Sequence, residues 1–592
     1  MFSLTQYPSA SARTEAAAES SIAPSEIVAA KAERGQDLIY RSLLLLLCVA
    51  LWVPRLQGPI NFRWDASAYY ILGTALAEGK GYRLLNEPGS VHAVQYPPLL
   101  PVLVAVVQRA LGTHDYYKVG CALRFTYFFL SVLFLLMTYA LARRFLPSLG
   151  AFLVGVITAL SFSSFVGSSD VLYAEMPFAV VTTAFLLYHQ SNCPVSGVLR
   201  GILAVAAYLL RTAGLALLFT WVAESLIRRR FGQAAVRVAV SAVPILLWQG
   251  YVWQVTHSDE YRHPAYSYQR APYYYSNVTY GENSHLVDPF QPELGKMHAG
   301  DFGERLVRNI AVVPLALGES TIVPKWFVPS LVRQLQSLRL PLSRSWPRLI
   351  SGVFYSALAA AGLLALVGAI LVATGQNWFV SLYFGITVAL IVLTPWQNQF
   401  WRYLAPMAPV TLTLILVGLL AIRHRLGHAD VRWGRTAGTL VIAISIVAIL
   451  LTQIAVVAHV FRSMGAVSYY DGVGHERVLK LVDYPSEWHS LDPAFEWLRR
   501  NAPSGAVVAA TVPHLAYLRT DHKAVLPPLE RDADTASRLL DEVPVTFLVL
   551  DSFERPGVSE RYAAPLVAQK SQDWRLVFTA PDLVTRVYER TR

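Results

Sequence analysis

Four side chains in this sequence are of the right type, and in the right kind of place, to do chemistry. The first is Asp65 in Arg63-Trp64-Asp65-Ala66-Ser67-Ala68-Tyr69-Tyr70, about ten residues beyond the first long apolar run. A carboxylate placed there can take a proton from an attacking hydroxyl; the plainer alternative is a loop aspartate paired with Arg63. The second is Glu175 in Ser168-Ser169-Asp170-Val171-Leu172-Tyr173-Ala174-Glu175-Met176-Pro177. It stands at the start of an apolar helix, where the helix dipole also favours a carboxylate, and Asp170 is suited to capping. Two carboxylates and a phosphate can together hold Mg²⁺ or Mn²⁺. The third is Arg211 in Leu209-Leu210-Arg211-Thr212-Ala213-Gly214. A charge inside an apolar span costs roughly 2.5–3.5 kcal/mol, unless the chain turns there and lets the side chain snorkel. The fourth is Arg402, in Pro395-Trp396-Gln397-Asn398-Gln399-Phe400-Trp401-Arg402-Tyr403-Leu404-Ala405-Pro406. A guanidinium grips phosphate bidentately; with Trp396 and Trp401 beside it, Arg402 also reads as a headgroup anchor. Lys80, in the same loop as Asp65, is a further possible phosphate contact, while His92 reads as a structural loop residue.

The elements that must position these residues are membrane helices. Of the 592 residues, 54% are hydrophobic and only 15% are charged, against about 25% charged in soluble domains. The net charge of +11 comes from arginines at helix ends, which suits cytoplasmic anchoring rather than nucleic acid. Cys48, Cys121 and Cys193 have neither metal spacing nor a disulfide framework. Residues 1–35 read as a disordered cytoplasmic tail without a cleavage pattern, so the first apolar run is an uncleaved helix. At about 20 apolar residues per span, eleven spans are expected: 38–56, 119–142, 149–167, 174–190, 197–210, 212–228, 235–255, 350–373, 378–394, 402–422 and 437–460. The turn at Arg211 reads as a tight hairpin between two short helices.

Arg143-Arg144, Arg200, Arg228-Arg229-Arg230, and Arg423 with Arg425 fall on alternate connections. Each puts the same side in the cytoplasm. Asp65, Asp170, Glu175, Arg211, Arg402, the 256–349 loop and the C-terminal region then share the opposite face. In the external loop 57–118, residues 66–79 read as an amphipathic surface helix and 97–112 as a re-entrant or interfacial one. The loop 256–349 is too long for a connector. Its tyrosines, from Tyr261 to Tyr280, suit headgroup anchoring or stacking on sugars, and an amphipathic segment follows near 301–318. Residues 461–592 change pattern. A helix start at Leu491, apolar strands at 506–510 and 545–551, and alternation between them indicate a soluble α/β domain. Asp551, ending the second strand, is either a turn cap or a site residue.

Asp65, the helical stretch through Ala75-Leu76-Ala77-Glu78-Gly79-Lys80-Gly81-Tyr82, and then Tyr96-Pro97-Pro98-Leu99-Leu100-Pro101 come in an order that resembles the first external loop of the GT-C membrane glycosyltransferases. Within that superfamily the sequence looks closest to the protein O-mannosyltransferase and lipid A aminoarabinose transferase branch, of the glycosyltransferase family 39 type. The resemblance covers 38–230 and, more weakly, 378–422. It implies a polytopic α-helical membrane domain over 36–460 and a C-terminal extracytoplasmic α/β domain. It also implies a polyprenyl-phosphate-linked sugar as donor, a glycan, lipid or protein as acceptor, and a site facing the periplasm or exterior of the inner membrane. Asp65 would be the catalytic base. Glu175 would orient the acceptor or a divalent cation, as an acidic residue before proline does in relatives. Arg402, matching an Arg-Tyr-x-x-Pro pattern, would bind the donor phosphate with Arg211 and Lys80. Asp170, Tyr82 and Tyr403 would serve the acceptor or a metal. One departure stands out: the mannosyltransferases carry Asp-Glu in this loop, and here Ala66 follows Asp65. The rival readings are a transporter or lipid flippase, with charges along a path, and a non-catalytic scaffold.

Overall fold

The computed structural model describes residues 24–189, 195–337, 346–375, 377–428, 434–471, 473–482, 484–554, 556–581 and 583–591. Cys193 and the first part of the expected tail, residues 1–23, lie outside the described residues. Every expected span falls on a helix. In chain order these are α1 (Pro24–Trp52), α4 (Tyr116–Ala142), α5 (Ser148–Leu160), α6 (Glu175–His189), α7 (Val195–Leu210), α8 (Leu215–Ile227), α9 (Phe231–Thr256), α12 (Trp346–Ala373), α13 (Trp378–Val392), α14 (Ala408–His428) and α15 (Gly434–Arg462). Between them lie α2 (Asp65–Ala77), α3 (Leu99–Leu111), α10 (Ala299–Thr321) and α11 (Val328–Ser337). The chain is a multi-pass membrane protein.

Three expectations are corrected. Residues 24–35, expected in the tail, are the first turns of α1; their Ala, Glu and Lys content favours helix. Among the described residues six helices are long and apolar enough to cross a membrane, or seven if α10 and the segment Lys325–Gln334, bent by 70°, form one span. The other five expected spans, α5, α6, α7, α8 and α13, are 13–16 residues long. At 1.5 Å per residue each reaches about 20–24 Å, short of a core about 30 Å thick. Finally, α2 is not an amphipathic surface helix. Tyr69, Tyr70, Ile71, Leu72 and Ala75 are all buried, because other parts of the chain cover it on every side. α3 packs so closely on one side that a Cβ on Gly73 would meet Val104 at 2.5 Å.

α3 keeps the form expected of an interfacial helix. Leu100, Val104 and Ala105 are buried while Val102 and Val106 are exposed, and Gly112 ends it at φ 62°. The hairpin at Arg211 is also present. Arg211 is extended, a single 3₁₀ turn follows, and a Cβ on Gly214 would come within 2.5 Å of the Ala207 and Tyr208 backbone. In a continuous helix, seven residues span about 10 Å, so α8 doubles back against α7.

The helix ends sort into two groups. At one end Asp37 pairs with Arg143 at 3.0 Å, Glu224 meets His189, Arg228 and Arg237 at 2.8–3.1 Å, and Phe379 stacks on His189. At the other lie Asp65, Glu175, Arg211, Arg402 and the C-terminal region. α10 crosses that second end. Asn309 donates to the Val392 and Thr394 carbonyls, and the Glu319 carbonyl accepts from Ser163.

The C-terminal region opens with an antiparallel pair, β1 (Gly465–Tyr470) and β2 (Glu476–Leu481). It continues with β3 (Val507–Ala509), β4 (Lys523–Val525), β5 (Phe547–Leu550), β6 (Trp574–Thr579) and β7 (Arg586–Arg590), in the order β4-β3-β5-β7-β6. β3 runs parallel to β4 and β5, through helical crossovers α17 (Pro513–Thr520) and α18 (Ala533–Glu542); α16 (Leu491–Asn501) precedes them. β7 is antiparallel to β5 and β6. The expected strands and helix start are therefore found, in a mixed sheet.

This region is bound to the first external loop by backbone and side chain alike. Ala524 N donates to Asn86 O at 2.8 Å, and Lys523 Nζ reaches the Leu85 and Glu87 carbonyls. The tyrosine-rich segment joins them. Tyr266, Tyr274 and Gln269 donate to the carboxylate of Glu87, which is fully buried. Tyr266, Tyr268 and Tyr274 thus pack inside the protein against the sheet. That is a correction to headgroup anchoring: a buried carboxylate needs donors, and these phenols supply them.

Candidate active site

Each candidate side chain is placed by a helix end or a break. Asp65 opens α2, Glu175 opens α6, Arg211 is the extended residue between α7 and α8, and Arg402 lies on a short helix, Phe400–Leu404, before α14. The loops ahead of α2 and α6 are stitched together: Asn61 N donates to Asp170 O at 3.0 Å and Leu172 N to Asn61 O at 3.1 Å.

Arg402 is the centre of the group. Its Nε donates to Glu175 Oε1 at 2.5 Å, its Nη2 to Asp65 Oδ2 at 3.0 Å, and its Nη1 to Gln399 Oε1 at 3.4 Å. The guanidinium sits 4.0 Å from the ring centre of Tyr173, whose carbonyl is held by Tyr127. Three of its five N–H donors are used. Arg211 Nη1 lies 2.8 Å from the same Glu175 Oε1, in an orientation that makes no hydrogen bond, and its guanidinium is 5.4 Å from the Tyr403 ring centre. Glu175 is 3% exposed and Asp65 24%, so Glu175 is the internal counter-ion and Asp65 the carboxylate that solvent or a substrate can reach. Tyr96 donates to Asp65 Oδ1 at 3.2 Å. Burial, with the Asp65 charge beside it, holds the Tyr96 phenol well above its ordinary range, so it stays a donor. Tyr69 and Tyr275 pack on Tyr96, and Trp396 on Tyr275, walling one side.

The structure thus gathers Asp65, Glu175, Arg211, Arg402 and Tyr403. Tyr82 stands one step back, donating to the Tyr96 carbonyl at 2.9 Å. Lys80 is not brought in; it is mostly exposed and pairs with Glu78 at 2.7 Å. Asp170 is turned away, buried against Arg124 at 3.3 Å. Asp65 does not pair with Arg63, whose guanidinium lies over Trp488 and Tyr484 of the C-terminal region, and Arg402 is held by carboxylates rather than spread at a surface. His92 is a loop-holding residue, paired with Glu260 at 3.0 Å. The Asp551 carboxylate accepts the backbone N–H of Phe553, and its own backbone N–H donates to Ser559 Oγ, as in a turn-forming residue. Tyr96, Tyr173 and Tyr69 escape a reading of the sequence, and Tyr275 was one of the loop tyrosines read as headgroup anchors or sugar-stacking rings. Tyr96 was visible only as the residue before Pro97-Pro98.

A divalent cation finds a poor donor set here. Asp65 and Glu175 share their space with two guanidiniums, so the group carries no net negative charge. Among the described residues no three His, Cys, Asp or Glu side chains converge.

No protein-family model matches the chain, and no curated protein matches it. Solved structures do. The apo oligosaccharyltransferase of Archaeoglobus fulgidus aligns over 94% of this chain and 74% of its own, at 15% identity and a TM-score of 0.51. ArnT from Cupriavidus metallidurans, solved with undecaprenyl phosphate, aligns over 94% of this chain and 98% of its own, at 14% identity and a TM-score of 0.47. At 15% identity the likeness to the oligosaccharyltransferase shows the fold alone: a helical membrane domain followed by a C-terminal domain.

Proposed function

We propose that this chain is an integral membrane glycosyltransferase. It moves a sugar from a polyprenyl-phosphate donor to an acceptor hydroxyl of a glycan, lipid or protein, with inversion, at the exterior face of the inner (plasma) membrane. The observation that carries this reading is the Arg402 bridge between a buried Glu175 and a reachable Asp65, with Arg211 alongside. A phosphate-linked sugar already has its leaving group, so the protein needs a base for the acceptor and positive charge for the departing phosphate. Asp65 takes the acceptor proton. The acceptor oxygen attacks the anomeric carbon as the bond to the phosphate oxygen breaks. Arg402 has two N–H donors to spare and Arg211 Nη1 makes no hydrogen bond among the described residues, so both can hold the phosphate. Glu175 keeps both guanidiniums in place.

Among the described residues the paired charges gather at the two ends of the bundle, which favours this reading over a transporter, whose charges would line a path. The test is release of free polyprenyl phosphate from a panel of polyprenyl-phosphate sugars by purified protein, with a membrane extract as acceptor. Release with at least one donor, and a product of inverted anomeric configuration, is expected. No release with any donor would sink the reading.

A further inference from the structure

Trp64, the residue before Asp65, has φ 52° and ψ −128°. Left-handed φ is rare outside glycine, and for a bulky residue it is an outlier. The pattern around it is specific. Ala66 N donates to Arg63 O at 3.1 Å, which closes a four-residue turn with Trp64 as its first central residue. Those dihedrals are those of a type II′ turn, in which that position is glycine's. A tryptophan there pays in strain of a kind that persists only where surrounding contacts hold it.

The contacts come from the C-terminal region. The Trp64 ring meets Trp488 edge-on at 4.9 Å and Phe553 at 5.1 Å between centroids, and Trp488 and Phe553 meet each other at 4.8 Å. Arg63 is gripped by the same wall, lying 5.6 Å from the Trp488 ring. On the membrane-domain side, Ser67 donates to the Trp64 carbonyl at 2.9 Å. Phe553 sits in the loop after β5, anchored by its N–H on Asp551. This strained residue is thus held from a domain some 420 positions later in the chain, and the residue that follows it is Asp65.

Resting on the reading of Asp65 as the base, we propose that Trp64, Trp488 and Phe553 are positioning residues. The C-terminal domain grips the Trp64 indole, holds the II′ turn, and so aims the Asp65 carboxylate at Arg402 and the acceptor. None of the three touches the reacting atoms.

The test compares Trp64→Ala, Trp64→Gly, Trp488→Ala and Phe553→Ala with wild type, reading kcat and donor KM for polyprenyl phosphate release, with thermal unfolding of each purified protein alongside. Glycine fits the turn without strain but offers no ring; alanine offers neither. Trp64→Gly should therefore keep more kcat than Trp64→Ala, by about tenfold, the factor that corresponds to strain of this class. Phe553→Ala and Trp488→Ala should lower kcat and leave donor KM near wild type. At this φ glycine is also the more stable of the two, so a purely structural role orders the melting temperatures the same way but leaves kcat per folded enzyme alike in both Trp64 variants. Equal or reversed activity of the two Trp64 variants, or unchanged kcat in the folded Phe553 variant, would overturn the proposal. Wild-type protein that releases nothing would instead overturn the functional reading beneath it.

Discussion

At the residue scale the site is an electrically closed set of two carboxylates and two guanidiniums, and that sets what substitutions should do. Arg402→Lys keeps one charge but cannot reach Glu175, Asp65 and a phosphate at once, because an ammonium is a point charge and not a planar fork. Its rate of donor cleavage should fall about a hundredfold or more, the scale seen for loss of a charge-stabilising donor, measured as initial polyprenyl phosphate release. Glu175→Ala leaves two guanidiniums without their internal counter-ion. Breaking a buried pair this way costs about 3–5 kcal/mol, so this variant should unfold at a visibly lower temperature in detergent than wild type; an unchanged melting curve would mean Glu175 is not the counter-ion. The four charged members were legible in the sequence because Arg211 interrupts an apolar span and Asp65, Glu175 and Arg402 stand at the edges of apolar runs within recognisable motifs. Their partners were not. Asp170 was a candidate for a cap or for the acceptor or a metal, but its side chain pairs with Arg124, 46 positions earlier in the chain, and nothing local announces that pairing. The tyrosines around Asp65 were hidden because an aromatic at a membrane surface has an ordinary explanation.

At the scale of elements, the helices were legible as apolar runs and their breaks as isolated charges. Arg211 marked the turn between α7 and α8. That turn depends on Gly214, where an added Cβ would meet backbone atoms of Ala207 and Tyr208 at 2.5 Å, and backbone cannot rotate aside. Gly214→Ala should force α7 and α8 apart, cost about 1–3 kcal/mol as overpacking does, and carry Arg211 away from Glu175. Lower melting temperature and weaker donor binding are expected together; wild-type values for both would show that the close approach is not required. α2 was misread for a physical reason. Its sequence is apolar on most of its circumference, which suits a helix covered on all sides, and part of its cover is α17: Tyr517 packs on Ile71, Ala75 and Leu85. A cover supplied from so far along the chain leaves no local signature.

At the scale of the molecule, the arginines alone sorted the helix ends into two groups, and the contacts agree: one end holds Glu224 and its partners, the other the candidate site and the C-terminal domain. The sequence also marked that domain as α/β, yet its bearing on the membrane domain could not be read from it. The structure makes it a cover and clamp for the loop that carries Asp65. That joint should weaken in acid. His514, on α17, is buried, and burial alone holds its imidazole down at about 4. The unfolded value is near 6.5, so the folded pKa is depressed: the stability it protects is present above pH 6.5 and is lost as pH falls through that window towards 4. The loss is on the order of 3 kcal/mol. His514→Leu should remove it, so that the variant's melting temperature drops less than wild type's between pH 7 and pH 5; parallel drops would assign the acid sensitivity elsewhere.

The most direct measurement is the turnover of Asp65→Asn beside wild type on whichever polyprenyl-phosphate sugar the wild type cleaves, with donor binding measured on both. Asparagine keeps the shape and the contact with Arg402's neighbours but cannot accept the proton. The expected result is a rate lower by about two to four orders of magnitude with donor binding retained. Equal rates for the two proteins would contradict the role of Asp65 as the base and, with it, the mechanism built on the Arg402 bridge.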